Sequence, residues 1–300
     1  MSQNIAAWFT EKIKDQVIVS YQSHGGMLDN TMMNGDVVAN TVKFPIIGRT
    51  EVYKLTGAIE RVPANGPSLT TVQMQFEDFE ASDFWRTQDA YKAGPNEQNA
   101  LAQIITKAIR RKRDTIKLDA LAAFSVLGGS GVTTIGTGAE VPDLLQFEQG
   151  AAEIAGVGCD DDIYCGLPAK WMSQLKFYKE FADADWVGAD DTPFSKKQRQ
   201  KMRTIGQVTY IELPDEYFVG PDGNSLYTYM WAKEAMGAEM PWNQEAPSIT
   251  PQPLLQGTPY LVKAGLGGAA IGIQGAGVKR FWLKKITNLI RPPVPTQTVP

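Results

Sequence analysis

The sequence has little of what catalysis and metal binding usually need. It holds one histidine, His24, in a glycine-flanked turn, and two cysteines, Cys159 and Cys165. A Ser-His-Asp or Cys-His mechanism would have to use that histidine. These residues lack the ligand number and spacing of a zinc site, and two cysteines are too few for a disulfide scaffold. The sequence therefore predicts no catalytic residue, no metal site and no cofactor, and it favours a reducing compartment.

Long apolar runs and a strong net charge are also missing. No run approaches the ~18 residues of a membrane span, and the acid-containing N-terminus does not resemble a secretory signal, so no membrane partner is expected. The net charge of −4 argues against a general nucleic-acid coat. Acidic residues are absent from Ala246 to Pro300, where six basic residues occur. Such a segment favours an acidic partner surface, either within the same fold or outside it.

Two motifs that suggest ligand binding are weak. Gly265 to Ala270 matches the dinucleotide pattern G-x-G-x-x-A, but a glycine-rich stretch follows instead of a helix, and no acidic residue follows to hold a ribose. The acidic clusters, such as Asp160 to Asp162, lack the alternating ligands of a calcium loop. We interpret the glycine pattern as a chance match and the acidic clusters as solvated or intersubunit charge.

The first 80 residues predict two extended parts. Residues 1–40 read as an N-terminal arm with a helix near Ala6 to Val19, and this arm is expected to have little to pack on within its own chain. Residues 41–80 read as an extended hairpin, whose strands run from Thr41 to Leu55 and from Leu69 to Phe76. A two-stranded hairpin is marginal alone, and the sequence shows no adjacent third strand. The hairpin therefore needs another surface, to which its alternating apolar residues would contribute: Val72, Met74 and Phe76.

Residues 95–127 predict one long helix, which begins after Gly94 and ends before Gly129. Its length of roughly 45–50 Å suits a spine crossing an elongated subunit. Its basic residues form either a solvated face or a face that pairs with another subunit's acidic hairpin base at Glu77 and Asp78. The basic run consists of Lys107, Arg110, Arg111, Lys112, Arg113 and Lys117, of which Arg110, Arg111, Arg113 and Lys117 are the expected interface residues.

Residues 130–275 predict a mixture of helices and strands. Helices are expected near Pro142–Ala155 and from Pro168 to Phe181. Strands are expected at Ile163–Cys165, Ile205–Leu213, Leu226–Met230, Tyr260–Ala264 and Ala269–Ile273, with a further strand at Val278–Leu283. The four prolines of Arg291 to Pro300 predict an extended tail.

Taken in order, these parts resemble the Hong Kong 97-type (HK97-like) fold of tailed-bacteriophage major capsid proteins, and the resemblance covers nearly the whole chain. Each segment resembles the family only in the type and order of its residues, and the succession of segments is more specific than any one of them alone. The segments are KFPIIGRTEVYKLTG (43–57), SLTTVQMQFEDFEASDFW (68–85), RRKRDTIKLDALAAF (110–124), CGLPAKWMSQL (165–175), YTYMWAKEAMGAEM (227–240) and GGAAIGIQGAGVKRFWLKK (267–285).

The resemblance implies an α+β fold with five parts and no enzymatic activity. The arm would be 1–40, the extended hairpin 41–80, the peripheral domain 81–130 with 260–290, the axial domain 131–259, and the tail 291–300. It also implies hexamers and pentamers in an icosahedral virion capsid, assembled in the host bacterial cytoplasm. The expected interface residues are Lys54, Val72, Met74, Phe76, Glu77, Asp78, Arg110, Arg111, Arg113 and Lys117.

The implied partners are further copies of the chain, a portal and packaged double-stranded DNA, which would be contacted without sequence specificity. Because the sequence begins at the arm, a separate scaffolding protein is also expected. Some relatives cross-link a hairpin lysine to a neighbour's asparagine, but no feature here identifies an acceptor for Lys54. Two alternatives remain open: an encapsulin-like compartment shell, and another phage structural protein such as a portal or tail tube. A soluble cytosolic enzyme is disfavoured, because the sequence lacks paired catalytic residues and a convincing cofactor motif.

Overall fold

One long helix and three β-sheets organise the chain. The computed structural model describes residues 22–48, 66–86, 95–127, 131–178 and 202–289, and none of the helices there is long and apolar enough to span a membrane. In order, the elements are β1 (Asp36–Val38), β2 (Thr41–Ile47), β3 (Leu69–Gln75), β4 (Glu77–Trp85), α1 (Pro95–Val126), β5 (Thr133–Ile135), α2 (Leu144–Gly156), β6 (Ile163–Pro168), α3 (Ala169–Leu175), β7 (Met202–Ile205), β8 (Val208–Leu213), β9 (Ser225–Ala232), β10 (Met236–Pro251), β11 (Tyr260–Gly272) and β12 (Val278–Lys284). The predicted α+β class is confirmed.

The hairpin belongs to a sheet of three strands. β2 and β3 pair antiparallel from Thr41↔Gln75 to Ile47↔Leu69, which confirms the strand pairing predicted there. β1 pairs with the other side of β2, so the expectation of no adjacent third strand was wrong. β1 has only three residues, too few to display an alternating pattern. The remainder of the predicted outgoing strand, to Leu55, lies outside the described residues.

The predicted long helix is confirmed as α1, and it packs on a second sheet of order β10-β11-β4. Its 32 residues extend about 48 Å at 1.5 Å each. Ile105 and Ile109 are buried against alternate residues of the central strand β11: Val262, Ala264 and Leu266. Spacings of four along the helix and two along the strand thus bring two apolar stripes together.

β11 is a single strand of 13 residues where the sequence predicted two strands separated by glycines. Those glycines continue the strand because neighbouring side chains occupy the space above them. A Cβ at Gly265 would overlap the ring of Trp242, and one at Gly272 would overlap the ring of Phe124. The G-x-G-x-x-A pattern therefore lies inside an antiparallel strand, instead of at the strand-to-helix turn that a dinucleotide site requires.

The main core surrounds a six-stranded sheet of order β5-β12-β9-β6-β8-β7. Fully buried aromatic rings fill one side of it: Phe147 of α2 lies 4.9 Å from Phe281 and 6.2 Å from Tyr210 between ring centroids. α2 begins at a capping box, in which Asp143 and Gln146 satisfy backbone N–H groups. The two predicted helices are present in the described residues, although α3 is shorter than expected.

The end of the arm also enters this core. Leu28 and Met32 are buried in it at 0% and 3% exposure, and the indole Nε1 of Trp231 donates to the Thr31 carbonyl at 3.0 Å. The expectation that the arm has little to pack on within its own chain was therefore wrong for these residues. The helix predicted from Ala6 to Val19 lies outside the described residues.

Strand pairing differs from the expected boundary between the axial and peripheral regions. β10, which was assigned to the axial domain, pairs with β11 beside the long helix. β12, which was assigned to the peripheral domain, pairs with β9 and β5 in the six-stranded sheet. The chain crosses between the two sheets at Ala232–Met236 and again at Gly272–Val278, so a boundary at residue 260 divides a hairpin that hydrogen bonds hold together.

Candidate subunit interface

The hairpin sheet has a root buried in its own subunit. Phe44 and Val42 are fully buried and form a cluster with Ala269 of β11. The predicted interface residues Met74 and Phe76 are half-buried against this cluster. Val72 is half-buried and lies opposite Phe44 in the strand register. The root of the hairpin is therefore held by its own chain.

The far end of the described hairpin has exposed apolar side chains. Ile47 and Leu69 face each other across β2 and β3, and they are 70% and 75% exposed. They point to the opposite face from Phe44, because side chains alternate along a strand. Two neighbouring exposed apolar side chains beyond a buried root make this end of the hairpin a candidate contact surface. Lys54, the predicted interface residue nearest the hairpin tip, lies outside the described residues.

The basic residues of α1 pair with acids of their own chain. Arg110 Nε donates to Glu245 Oε2 at 2.8 Å, and Arg113 Nη1 donates to Glu245 Oε1 at 2.7 Å. Arg113 Nη2 also donates to Asp29 at 2.6 Å. Glu245 belongs to β10 and Asp29 to the arm, so this cluster joins three parts of one subunit.

Lys117 and Asp114 are the buried members of the same cluster. Lys117 Nζ donates to the Leu28 carbonyl at 2.8 Å and lies 3.2 Å from Asp29 Oδ1. The Asp114 carboxylate is fully buried and accepts hydrogen bonds from the backbone N–H groups of Met27 and Leu28. We call Asp29, Arg113, Asp114, Lys117 and Glu245 the arm anchor.

Burial shifts the pKa values of the acids and of the lysine in the arm anchor in opposite directions, because it disfavours the charged form of each. It raises the pKa of Asp114, against the effect of the two backbone hydrogen bonds and of Lys117. It lowers the pKa of Lys117, which the neighbouring Asp29 opposes. Burial would also raise the pKa of Glu245, but its hydrogen bonds and the charges of Arg110 and Arg113 outweigh this and lower that pKa.

The expected pairing of the helix cations with an acidic hairpin base differs from this arrangement. Glu77 and Asp78 begin β4, whereas the acids that contact Arg110, Arg113 and Lys117 are Asp29 and Glu245. Arg111 donates to Gln22 at 2.9 Å. Sequence reasoning missed Asp29, Asp114 and Glu245, because their partners lie 84 to 135 residues away. The available signal was Asp114, a single acid directly after Arg110 to Arg113.

The histidine and the two cysteines lie at positions of different exposure in the described part of the chain. His24 is exposed, Cys165 is fully buried, and Cys159 is half-buried with its thiol pKa raised by burial. No group of three His, Cys, Asp or Glu side chains is placed to hold a metal among the residues that the structure covers. A cavity of about 300 Å³ beside Cys159 is bordered by Asp160, Asp161 and Glu234.

Comparison with known proteins gives one family match and many similar folds. A family model described as phage capsid protein matches residues 5–281. No curated protein sequence matches the chain significantly. The "Capsid of Ralstonia phage GP4" superposes with a TM-score of 0.65 at 10% identity, covering 96% of this chain and 100% of that one.

Two further structures show the same relationship at low sequence identity. A chain from Mycobacterium phage Che8 has a TM-score of 0.65 at 11% identity, covering 90% of this chain and 96% of its own. The "Capsid of native GTA particle" has a TM-score of 0.61 at 13% identity, covering 91% and 94%. The fold described above is thus shared along nearly the whole length of these chains, although few residues are identical.

Proposed function

Because the chain belongs to the phage capsid protein family, we propose that its copies form the icosahedral phage head as hexamers and pentamers joined through the extended hairpin. As a phage major capsid protein, it acts by self-association. The observation that supports the hairpin as the joining element is its unequal burial. Phe44 holds the root in the subunit, while Ile47 and Leu69 are left exposed.

Covering those two side chains supplies a driving force for assembly. Full burial of an isoleucine or leucine side chain contributes about 1.5–3 kcal/mol relative to exposure. In a closed shell each subunit gives one hairpin and receives one, so the contribution is repeated at every local axis. Of the other predicted hairpin residues, Lys54, Glu77 and Asp78 remain proposed interface residues, whereas Val72, Met74 and Phe76 lie on the face of Phe44 and help to hold the root.

The helix cations have a different proposed role. Arg110, Arg113 and Lys117 contact Asp29 and Glu245, which supports an anchor for the arm and for β10 inside each subunit. A rigid anchor would fix the position and direction of the arm at Gln22. These cations would act on assembly by orienting the arm, and Arg111, next to Gln22, would contribute to the same orientation.

Further partners follow from membership in the family. A scaffolding protein during assembly, a portal at one vertex and packaged double-stranded DNA are the proposed partners, and the host cytoplasm is the proposed place of assembly. Contact with DNA would be independent of base sequence, since it would rest on charge at the phosphate backbone.

The test compares assembly with subunit stability. The double variant Ile47→Ser/Leu69→Ser is expected to unfold close to the wild-type denaturant concentration, because both side chains are exposed in the subunit. Negative-stain microscopy and sedimentation should show closed shells for the wild type, with or without a co-expressed scaffolding protein, and few or none for this variant. Leu145→Ser is the control, since Leu145 is also 75% exposed but lies on α2.

Two outcomes would count against the proposal. Normal shells from the double variant would reject the role of the hairpin while leaving the shell function in place. A wild-type chain that remains monomeric both with and without the scaffolding protein would reject the shell itself.

A further inference from the structure

The face of the β10-β11-β4 sheet that points away from α1 has a half-exposed tryptophan. Val262, Ala264 and Leu266 face the helix, so the residues between them face outward. Trp242 lies opposite Gly267 across β10 and β11, its ring covers Gly265, and it is 47% exposed. Because neither glycine has a side chain, the indole ring lies over Gly265 and beside Gly267, and about half of the tryptophan surface stays exposed.

Two carboxylates of β4 lie on the same face of the sheet as the indole ring. Asp78 lies opposite Gly267 and Glu80 opposite Gly265 in the register of β4 and β11. A Cβ at Gly267 would lie 2.6 Å from Asp78 Oδ1 and 3.6 Å from Trp242 Cβ, so ring and carboxylate share one surface. Glu80 Oε2 lies 3.6 Å from Lys263 Nζ, and both side chains are more than 40% exposed. Such a pair is weak in water and can exchange partners.

We propose that this outer face, formed by Trp242, Gly265, Gly267, Asp78 and Glu80, binds the C-terminal segment 290–300 of a second copy. That segment reads IRPPVPTQTVP. Its prolines favour a polyproline II conformation, which binds flat aromatic surfaces at a low cost in conformational entropy. Its arginine matches the two carboxylates in charge.

Acidic side chains distinguish this segment from the other ranges outside the described residues. Ranges 1–21, 49–65, 87–94 and 179–201 each contain Asp or Glu beside Lys or Arg. Segment 290–300 contains Arg291 and no acidic side chain. It is also the end of the acid-free region noted in the sequence, for which an acidic partner surface was expected.

The segment starts from a different sheet than the one that carries Trp242. The Thr287 carbonyl accepts a hydrogen bond from Lys170 Nζ of α3 at 3.4 Å, beside the six-stranded sheet. This placement favours a second copy over the same chain as the source of the segment. The inference rests on the proposed shell, because a shell places many copies side by side.

The first experiment measures binding to unassembled full-length chain, so it does not depend on shell formation. A fluorescein-labelled peptide of residues 289–300 is titrated with protein and followed by fluorescence anisotropy. Trp242→Leu and Asp78→Asn are each expected to weaken binding roughly tenfold, as loss of a central anchor does. The peptide that carries Arg291→Ala should bind more weakly by a similar factor.

Ile249→Ala is the control, since Ile249 is exposed on the helix side of the same sheet. Absence of binding, or binding that Trp242→Leu leaves unchanged, would overturn the proposal.

The second experiment identifies the occupant in the assembled particle. Two chains that differ in length by a terminal tag, and so separate on a gel, are co-expressed, one with Ser82→Cys and the other with Val294→Cys, both also carrying Cys159→Ser. Ser82 is exposed and lies opposite Lys263 on the same outer face, so this substitution leaves Asp78 and Glu80 in place. A disulfide-linked heterodimer on non-reducing gels is expected. Two controls test other occupants of this face. If the link forms only within one chain that carries both cysteines, the occupant is the same chain; if it forms only with a chain that carries Lys54→Cys, the occupant is the hairpin. Either result would overturn the proposal. Peptide binding without any shells would contradict the proposed function and leave the docking of this segment supported.

Discussion

The Asp114 carboxylate, buried on the long helix, accepts a hydrogen bond from the backbone N–H of Leu28 at 3.2 Å. The second carboxylate oxygen accepts from Met27 at 3.1 Å. One side chain thereby satisfies two backbone donors of the arm at the point where Leu28 enters the core. The Lys117 ammonium donates a hydrogen bond to the carbonyl of Leu28, so side chains of the helix bind both polar groups of the Leu28 backbone.

Replacing Asp114 should loosen this anchor. Asp114→Asn is expected to lower the free energy of unfolding by about 1–3 kcal/mol. The NH2 group of asparagine would replace one of the two accepting oxygens, so one buried backbone N–H would face a donor and lose its hydrogen bond. Chemical denaturation monitored by circular dichroism measures the change. Asp119→Asn, at an exposed position of the same helix, is the matched control and should stay near the wild type. Equal effects of the two substitutions would argue against the anchor.

Shortening Leu28 tests whether the arm is part of the subunit core. Leu28→Ala is expected to lower the free energy of unfolding by about 2–5 kcal/mol, the usual cost of a cavity at a fully buried leucine. Leu69→Ala, at a residue 75% exposed, should change it by less than about 0.5 kcal/mol. The denaturation midpoint of each variant gives the comparison. A small loss for Leu28→Ala would mean that the arm leaves the core in solution.

Adding a methyl group at Gly272 tests why β11 is rich in glycine. Gly272→Ala is expected to destabilise the subunit by about 1–3 kcal/mol, because its Cβ would overlap the ring of Phe124. Gly223→Ala should be close to neutral, since no atom lies within 4 Å of the added carbon. Adding Phe124→Leu to Gly272→Ala should recover part of the loss, which thermal melting of the single and double variants would show. If the double variant recovers no stability, overlap with the Phe124 ring is not the cause of the loss.

Acid should weaken the ion pairs of Glu245. The folded state holds the pKa of this carboxyl below its ordinary value of 4.5, so its contribution to stability is present above pH 4.5 and is lost as the pH falls through the folded pKa. The wild type should therefore exceed Glu245→Gln in stability at neutral pH, and the difference should shrink below pH 4.5. Denaturation from pH 7 to pH 3 measures it. A constant difference would show that the charge of Glu245 does not stabilise the fold.

Local patterns accounted for the elements whose own residues determine them. The long helix follows from its periodic apolar positions and from the glycines at its ends, and β3 follows from its alternation. β4 and β10 were not predicted: β4 is acidic, and β10 contains prolines and few alternating apolar residues. Both form strands because β11 lies between them and hydrogen-bonds to each. That pairing depends on residues distant in sequence.

The sequence by itself determined the class of the fold, the long helix, the hairpin and the scarcity of catalytic side chains, because these depend on composition and on spacings of two to four residues. Only the tertiary structure decided which side chains remain available to a partner. Arg113 and Lys117 read as a charged surface along the helix, yet Asp29 and Glu245 neutralise them within the subunit. Ile47 and Leu69 read as ordinary strand residues, yet no part of the described chain covers them. Burial and ion pairing join residues far apart in sequence, and local periodicity contains no information about such distances.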